Sequence, residues 1–579
     1  MIARIATALL MALSGATCAL SAEPDTTVAA NAGKVAFREQ CALCHSAQPN
    51  DNGGAQGPNL YQVYGRHAAA DPLFSYSAAL RASHLTWDAA TLDRFLTNPY
   101  GVAPGTAMII SVPSAEVRGN LIAYFRAVKD GTFQESAPQA FRPPPPTTAA
   151  ANAPRPRPEA DWRQDAPGQP HRIEVAQLPA PFVSASANNF PRLVSKPPDA
   201  RLLLPAGFTV AEFTREVQAP RELRLAPNGD IFLTETQSGR VKVLRPSADG
   251  TRPATVSVFA QGLSQPSGMG FYPQGQQPRW LYVAENNRVV RYPYRVGDLE
   301  ARALPEIIVP TLSPVAGGGH FTRDLVFSAD GKRMFISVGS QSNVAESMPK
   351  KSPEEIKDWE AEHGFGAAWG NETNRADVLV FDVGMQSPGH IFASGIRNCA
   401  GLSVEPRSGD LWCTTNERDL LGDDLVPDYS TRVKEGGFYG WPWYYMGSNE
   451  DPRHAGERPD LVGKVLVPDV PYQAHSAALS LIFYTANKGR SAFPPEYVGD
   501  GFAVMHGSWN RAFRTGHKVV RVRMHDGVPT GEYDDFLVGF IVDDGHAWAR
   551  PVGALQAQDG SLLISDDGND VIYRISYAH

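Results

Sequence analysis

Apolar residues recur along this chain at two periods, and the change of period divides it. Val117, Leu121, Phe125 and Val128 follow one another at helical spacing behind Ser114, a good N-cap residue, which predicts an amphipathic helix stopped by Gly131. Beyond Leu202 the texture becomes short β-branched and aromatic runs. There an apolar run, a glycine-containing turn, a second apolar run and a closing Thr, Ser, Asp or Glu recur at residues 223–235, 325–337, 402–414 and 554–565. Further short strands follow, as at 288–292 and 571–575. Such hairpins read as propeller blades, and six blades fit the length; a β-sandwich would leave the repetition a coincidence. The expected fold is therefore multidomain, a small all-α domain followed by a large all-β six-bladed propeller. Between them, residues 131–199 turn proline-rich, with Pro143 to Pro146 and then Pro154, Pro156 and Pro158. That stretch reads as a linker whose first part favours the extended polyproline helix, at about 3.1 Å per residue.

Composition changes this picture little. A net charge of -8 over 579 residues and 20% charged residues are ordinary for a soluble protein and leave no basic field for nucleic acid. Residues 1–22 do matter: Arg4, the apolar run 5–13 and the close at Leu20-Ser21-Ala22 have the plan of a secretory signal peptide. A lipoprotein anchor at Cys18 is disfavoured, because Gly15-Ala16-Thr17 lacks a large apolar residue upstream. No later run reaches the roughly 18 apolar residues of a membrane span, so a periplasmic mature protein is expected. The divisions are then 1–22 signal, 23–130 helical domain, 131–199 linker and 200–579 propeller. Export permits a disulfide between Cys399 and Cys413, and two buried thiols are equally compatible with the sequence.

Cys41-Ala-Leu-Cys44-His45 places two thiols one helical turn apart, so that both can add to haem vinyl groups while the imidazole reaches the iron. Zinc or redox-dithiol readings of the same spacing account less well for the adjacent histidine and the export signal. Met108 is the only methionine between the signal and Met269, hence the candidate second iron ligand; His67 and His84 are the alternatives. These residues, with Gly57-Pro58-Asn59-Leu60 and the Pro104 to Met108 loop, resemble class I cytochromes c over most of residues 30–130. The resemblance implies covalent haem c, with Pro58 near the proximal ligand.

Polar residues cluster where candidate strands end: Gly317 to Asp324, Gly339 to Asn343, Gly395 to Asn398, Asn416 to Asp424, His506 to Arg511 and Trp548 to Arg550. With Gly437 to Pro442, these motifs are similar to those of the L-sorbosone dehydrogenase group within the soluble, pyrroloquinoline-quinone-dependent sugar dehydrogenases, along nearly all of residues 200–579. The resemblance implies a quinone lying across a six-bladed propeller, calcium holding it, and His320 as the general base; Arg323 and Gln341 join the catalytic candidates. Soluble glucose dehydrogenases place a lysine against the quinone where this chain has His506 or Gly507, which shifts that contact to His506, Arg511 or another group.

The residue chemistry agrees. A quinone bearing carboxylates wants cationic forks, which Arg397 and Arg550 supply, and carbonyl donors, which Asn398 and Gln341 supply. Calcium wants hard oxygens, for which Glu417, Asp419, Asp423 and Asp424 are the candidates. An imidazole suits proton removal near neutrality. The expected activity is oxidation of a sugar or sugar-derived aldehyde or alcohol, two electrons at a time. They would pass singly through haem c to a periplasmic cytochrome or terminal oxidase. Two other classes stand beside it: a calcium-dependent lactonase, also six-bladed, and a sugar- or protein-binding propeller that localises an electron carrier.

Overall fold

A computed structural model of the chain describes residues 26–133 and 161–578, apart from 42–44, 46, 48–56, 71–75, 105, 107, 109–110, 188, 190, 315–318, 347 and 385–387. The signal segment, Cys44, Gly317-Gly318 and the prolines of 134–160 lie outside the described residues. The N-terminal unit is helical, with helices Thr26–Gln40, Ala78–Ala82, Ala89–Thr97, Pro99–Val102 and Ala115–Lys129. Its first and last helices pack on each other through Phe37, whose ring meets those of Tyr124 and Phe125 at 5.7 and 6.0 Å. The closing helix begins where the sequence places it: the Ser114 hydroxyl accepts the Val117 N–H, and Gly131 leaves the helix at φ +65°.

The C-terminal unit is a ring of six sheets, antiparallel apart from Gly437–Phe438, which joins the edge of the third in parallel. The first strands of the blades are Leu223–Leu225, Met269–Tyr272, Leu325–Phe327, Cys399–Val404, Ala478–Phe483 and Pro551–Gln556. Each touches the next all the way round, and the sixth touches the first. The four repeats seen in the sequence are the first two strands of blades one, three, four and six. The ring closes through Phe208–Thr214, which adds to the sixth blade antiparallel to Val571–Tyr577. In the fourth blade a disulfide joins Cys399 and Cys413 across the first two strands. An insertion in the third blade folds as the helix Pro353–His363, with a reciprocal capping box between Ser352 and Glu355.

The linker expectation is corrected from Asp161 onward. Trp162 donates to Asp544 at 2.9 Å, and Asp165 pairs with Lys518 at 2.7 Å. Pro170–His171 extends the fifth blade, and Arg192–Leu193 pairs with His546–Ala547. These residues satisfy their polar groups on the propeller, so they behave as part of it.

Candidate functional site

In an antiparallel meander, the loop entering the first strand and the turn joining the second to the third lie at the same end. His320, Arg397, His475, Arg550 and Arg221 precede the first strands of blades three, four, five, six and one, whereas Gln341, Asp419, His506 and Asp567 follow second strands. One face of the ring therefore carries them all.

His320 is half-buried there. Its Nδ1 lies 3.0 Å from the Ser340 carbonyl and 3.1 Å from the Ser340 hydroxyl. A carbonyl only accepts, so Nδ1 carries the proton and Nε2 keeps its lone pair, with no partner among the described residues. Burial, reinforced by the Arg397 charge, holds the imidazole pKa well below its ordinary value. Gly339 makes room: a Cβ there would sit 2.6 Å from the His320 Cβ and would also strike the Asn398 amide oxygen. Asn398 accepts from Thr322 at 3.2 Å, and its amide nitrogen has no partner among the described residues. The Gln341 side-chain oxygen is buried without one.

A second group gathers round Asp567. It accepts from Arg221 at 2.6 Å, meets the Arg550 Nε at 3.0 Å and accepts from the His506 Nε2 at 3.0 Å. Against burial, these cations hold the Asp567 carboxyl far below its ordinary range, whereas burial lowers His506, leaving that ring neutral. Arg221 also lies over the Phe321 ring beside His320, and the Asp566 carboxyl accepts the Arg550 N–H at 2.8 Å.

In the helical unit, His45 is turned by its neighbours: Nδ1 lies 2.9 Å from the Pro58 carbonyl, so Nε2 is the free ligand atom. A Cβ on Gly57 would strike the His45 ring. Cys41 is buried in the core, against which Met108 packs partly buried, whereas His67 and His84 are exposed. The cytochrome c2 of Rhodomicrobium vannielii is 37% identical over 118 residues, 20% of this chain and 93% of that protein.

Through this N-terminal unit the chain belongs to the cytochrome c family.

The cytochrome unit fits haem c on its own geometry: a histidine with a fixed tautomer, a glycine against its ring, a buried cysteine and one methionine on the core. For the propeller, a family profile described as TrAA12-like matches residues 202–430. The PQQ domain of pyranose dehydrogenase from Coprinopsis cinerea superposes with a TM-score of 0.52 at 20% identity, covering 66% of this chain and all of that one. The calcium structure of the Trichoderma reesei family AA12 enzyme gives 0.53 at 17%, covering 68% and 99%. At such identities the likeness is one of fold.

Several sequence expectations for this cytochrome-bearing propeller are corrected. Arg323 is fully buried and donates to the His320 and Thr322 carbonyls, so it shapes the loop from beneath. Arg397 has its five N–H groups engaged by Asn343, Asn416, Glu417 and Asp419, so its charge, not an open fork, reaches the site. Arg511 is matched by Asp424 at 2.8 Å. The calcium carboxylates do not converge: Glu417 pairs with Arg418 at 3.0 Å, Asp419 with Arg397 at 3.1 Å, and Asp424 with Arg511. Asp423 is buried apart, its N–H and carbonyl held by Ser184 and Arg511. Among the described residues, no three carboxylate, histidine or cysteine side chains gather as a metal site. Arg221, His475 and Asp567 were not foreseen; an arginine just before the strand start at 223 and an aspartate just after the strand end at 566 were the only signal.

Proposed function

We propose that the chain is an exported quinohaemoprotein oxidoreductase that oxidises a sugar, or a sugar-derived aldehyde or alcohol. The single observation that carries this is the state of His320 on the ring's polar face, its pKa lowered, Nδ1 fixed by Ser340 and Nε2 without a partner among the described residues. At Nε2 it takes the proton of a substrate hydroxyl, or of a hydrated aldehyde, as the adjacent C–H bond gives up its hydride. Pyrroloquinoline quinone, when bound, supplies the two-electron acceptor. Asn398 and Gln341 offer a donor pair and an acceptor beside His320, and Arg221 and Arg550 stand on the same face. Cys41, Cys44, His45 and Met108 would hold haem c, which when bound would supply a one-electron outlet toward a periplasmic cytochrome or oxidase.

The test is haem reduction. Haem-loaded protein is mixed with calcium and pyrroloquinoline quinone, and the ferrous absorbance bands are followed while aldoses, sorbosone and polyol-derived aldehydes are screened. Reduction that needs both quinone and substrate, and slows by about 10²-fold or more in His320→Ala, is the expected result. Intact haem that no sugar reduces would overturn it.

A further inference from the structure

Between Phe182 and Asn189 the chain preceding the propeller crosses the rim of the face that carries His320, and it is stitched there to loops of two blades. The Phe182 N–H donates to the Leu421 carbonyl at 2.8 Å. The Ser184 hydroxyl accepts the Asp423 N–H at 2.8 Å, and the Ser186 hydroxyl accepts the Gly422 N–H at 3.1 Å. Asn189 is bonded most heavily. Its N–H donates to the Trp509 carbonyl at 2.7 Å, its amide nitrogen reaches the Arg511, Ala512 and Asp544 carbonyls at 3.2, 3.1 and 2.9 Å, and its amide oxygen accepts from Arg514 at 3.0 Å.

The loops at 419–424 and 508–514 join second and third strands, so their backbone groups have no sheet partners, and the strap supplies them; Asp544 lies in the connection from the fifth blade to the sixth. The two loops also clasp each other, since Arg511 donates to the Asp423 carbonyl at 2.9 Å. From there the contacts run inward. The Gly422 carbonyl faces the His475 Nε2 at 3.0 Å, the His475 Nδ1 faces Asp419 at 3.3 Å, and Asp419 holds Arg397 at 3.1 Å. Arg397 is the cation whose field acts on His320.

We propose that residues 182–187 and Asn189 are a fixed wall of the active face, with Asn189 and Ser184 as positioning residues for the loops that bear Asp419 and Arg511. The catalytic consequence rests on the dehydrogenase reading; the pinning of the loops rests on hydrogen bonding alone. Asn189→Ala, Asn189→Asp and Ser184→Ala are made in the full haem-loaded chain, and amide hydrogen exchange is measured alongside kcat and KM. In Asn189→Ala, exchange in 419–424 and 508–514 should rise about tenfold or more while the first three blades keep their protection. kcat/KM should fall about tenfold or more with the haem spectrum unchanged. Asn189→Asp keeps the acceptor for Arg514 but sets a carboxylate oxygen against the Arg511, Ala512 and Asp544 carbonyls, and should loosen the loops at least as much as Asn189→Ala. Ser184→Ala removes one acceptor and decides the matter if Asn189→Ala does not fold. Unchanged exchange, or faster exchange with unaltered kcat and KM, overturns the proposal. If the wild type oxidises no sugar, the dehydrogenase reading falls, and the exchange measurement alone decides the strap.

Discussion

At His320, burial and charge act in the same direction. Removing the ring from water disfavours its cationic form, the neighbouring Arg397 disfavours it again, and the Ser340 carbonyl and Asp419 oppose them only in part. A base with a lowered pKa remains unprotonated as the pH falls through the ordinary histidine value of about 6.5. The acid limb of kcat/KM should therefore lie clearly below pH 6.5, and Arg397→Gln, which deletes the larger of the two arginine contributions while leaving Asp419, should move it upward. A wild-type limb at or above 6.5 in a pH–rate profile would remove His320 from the role of base. Residues of this kind were legible in the sequence when a short motif isolates them, as with His320, Asn398 and Gln341. Asp567 was not, because its role comes from Arg221, which lies in the loop before the first blade and reaches it only after the ring closes. Arg323 misled for the converse reason: adjacency to His320 in sequence places its side chain under the loop.

Among the elements, the hairpins that announced themselves carry Asn-Gly, Asp-Gly or Ser-Gly turns between two apolar runs, where glycine supplies the positive φ that the turn demands. Blades two and five gave no such signal, because their first two strands are joined through 273–279 and 484–500, which lack that chemistry. The helix at Pro353–His363 did carry its own mark, Ser352 three residues before Glu355 with proline between, but inside an insertion. The strap at 182–189 has no periodicity at all, since it is held by side chains bonding to distant loops. The disulfide belongs to this scale as well. It closes a short loop, with a sequence separation of 14, directly after Asn398 and before Asn416. For a loop of about 15 residues the chain-entropy account gives roughly 3 kcal/mol. Both sulfurs are inaccessible, at 1% and 0% residue exposure, so dithiothreitol should leave the folded protein untouched. Cys399→Ala with Cys413→Ala should lower the unfolding free energy by about 2 to 4 kcal/mol in a denaturant titration. Rapid reduction of the native protein, counted by thiol labelling, would contradict this placement.

For the whole molecule, the sequence separates helical from β texture and supports six blades, yet the closure of the ring is not written locally. Phe208–Thr214 completes the last blade from the N-terminal side, so the sixth sheet depends on a pairing between residues more than three hundred positions apart. The same long-range packing shortens the tether: because Asp161 onward is fastened to the propeller, only residues 134–160 separate the two described units. A tether of this kind raises the local concentration of one unit about the other, to millimolar order for a short flexible chain and less for a longer one. In the intact chain, the rate constant of substrate-driven haem reduction should then be independent of protein concentration. A protease site placed in 134–160 and cleaved should make the rate proportional to concentration. At about 1 μM of each half it should slow by at least tenfold, since the lost effective concentration exceeds the bulk one by that margin or more. Reduction in the uncut chain that already scales with concentration would mean that electrons pass between molecules, and the fusion of cytochrome and propeller would need a different explanation.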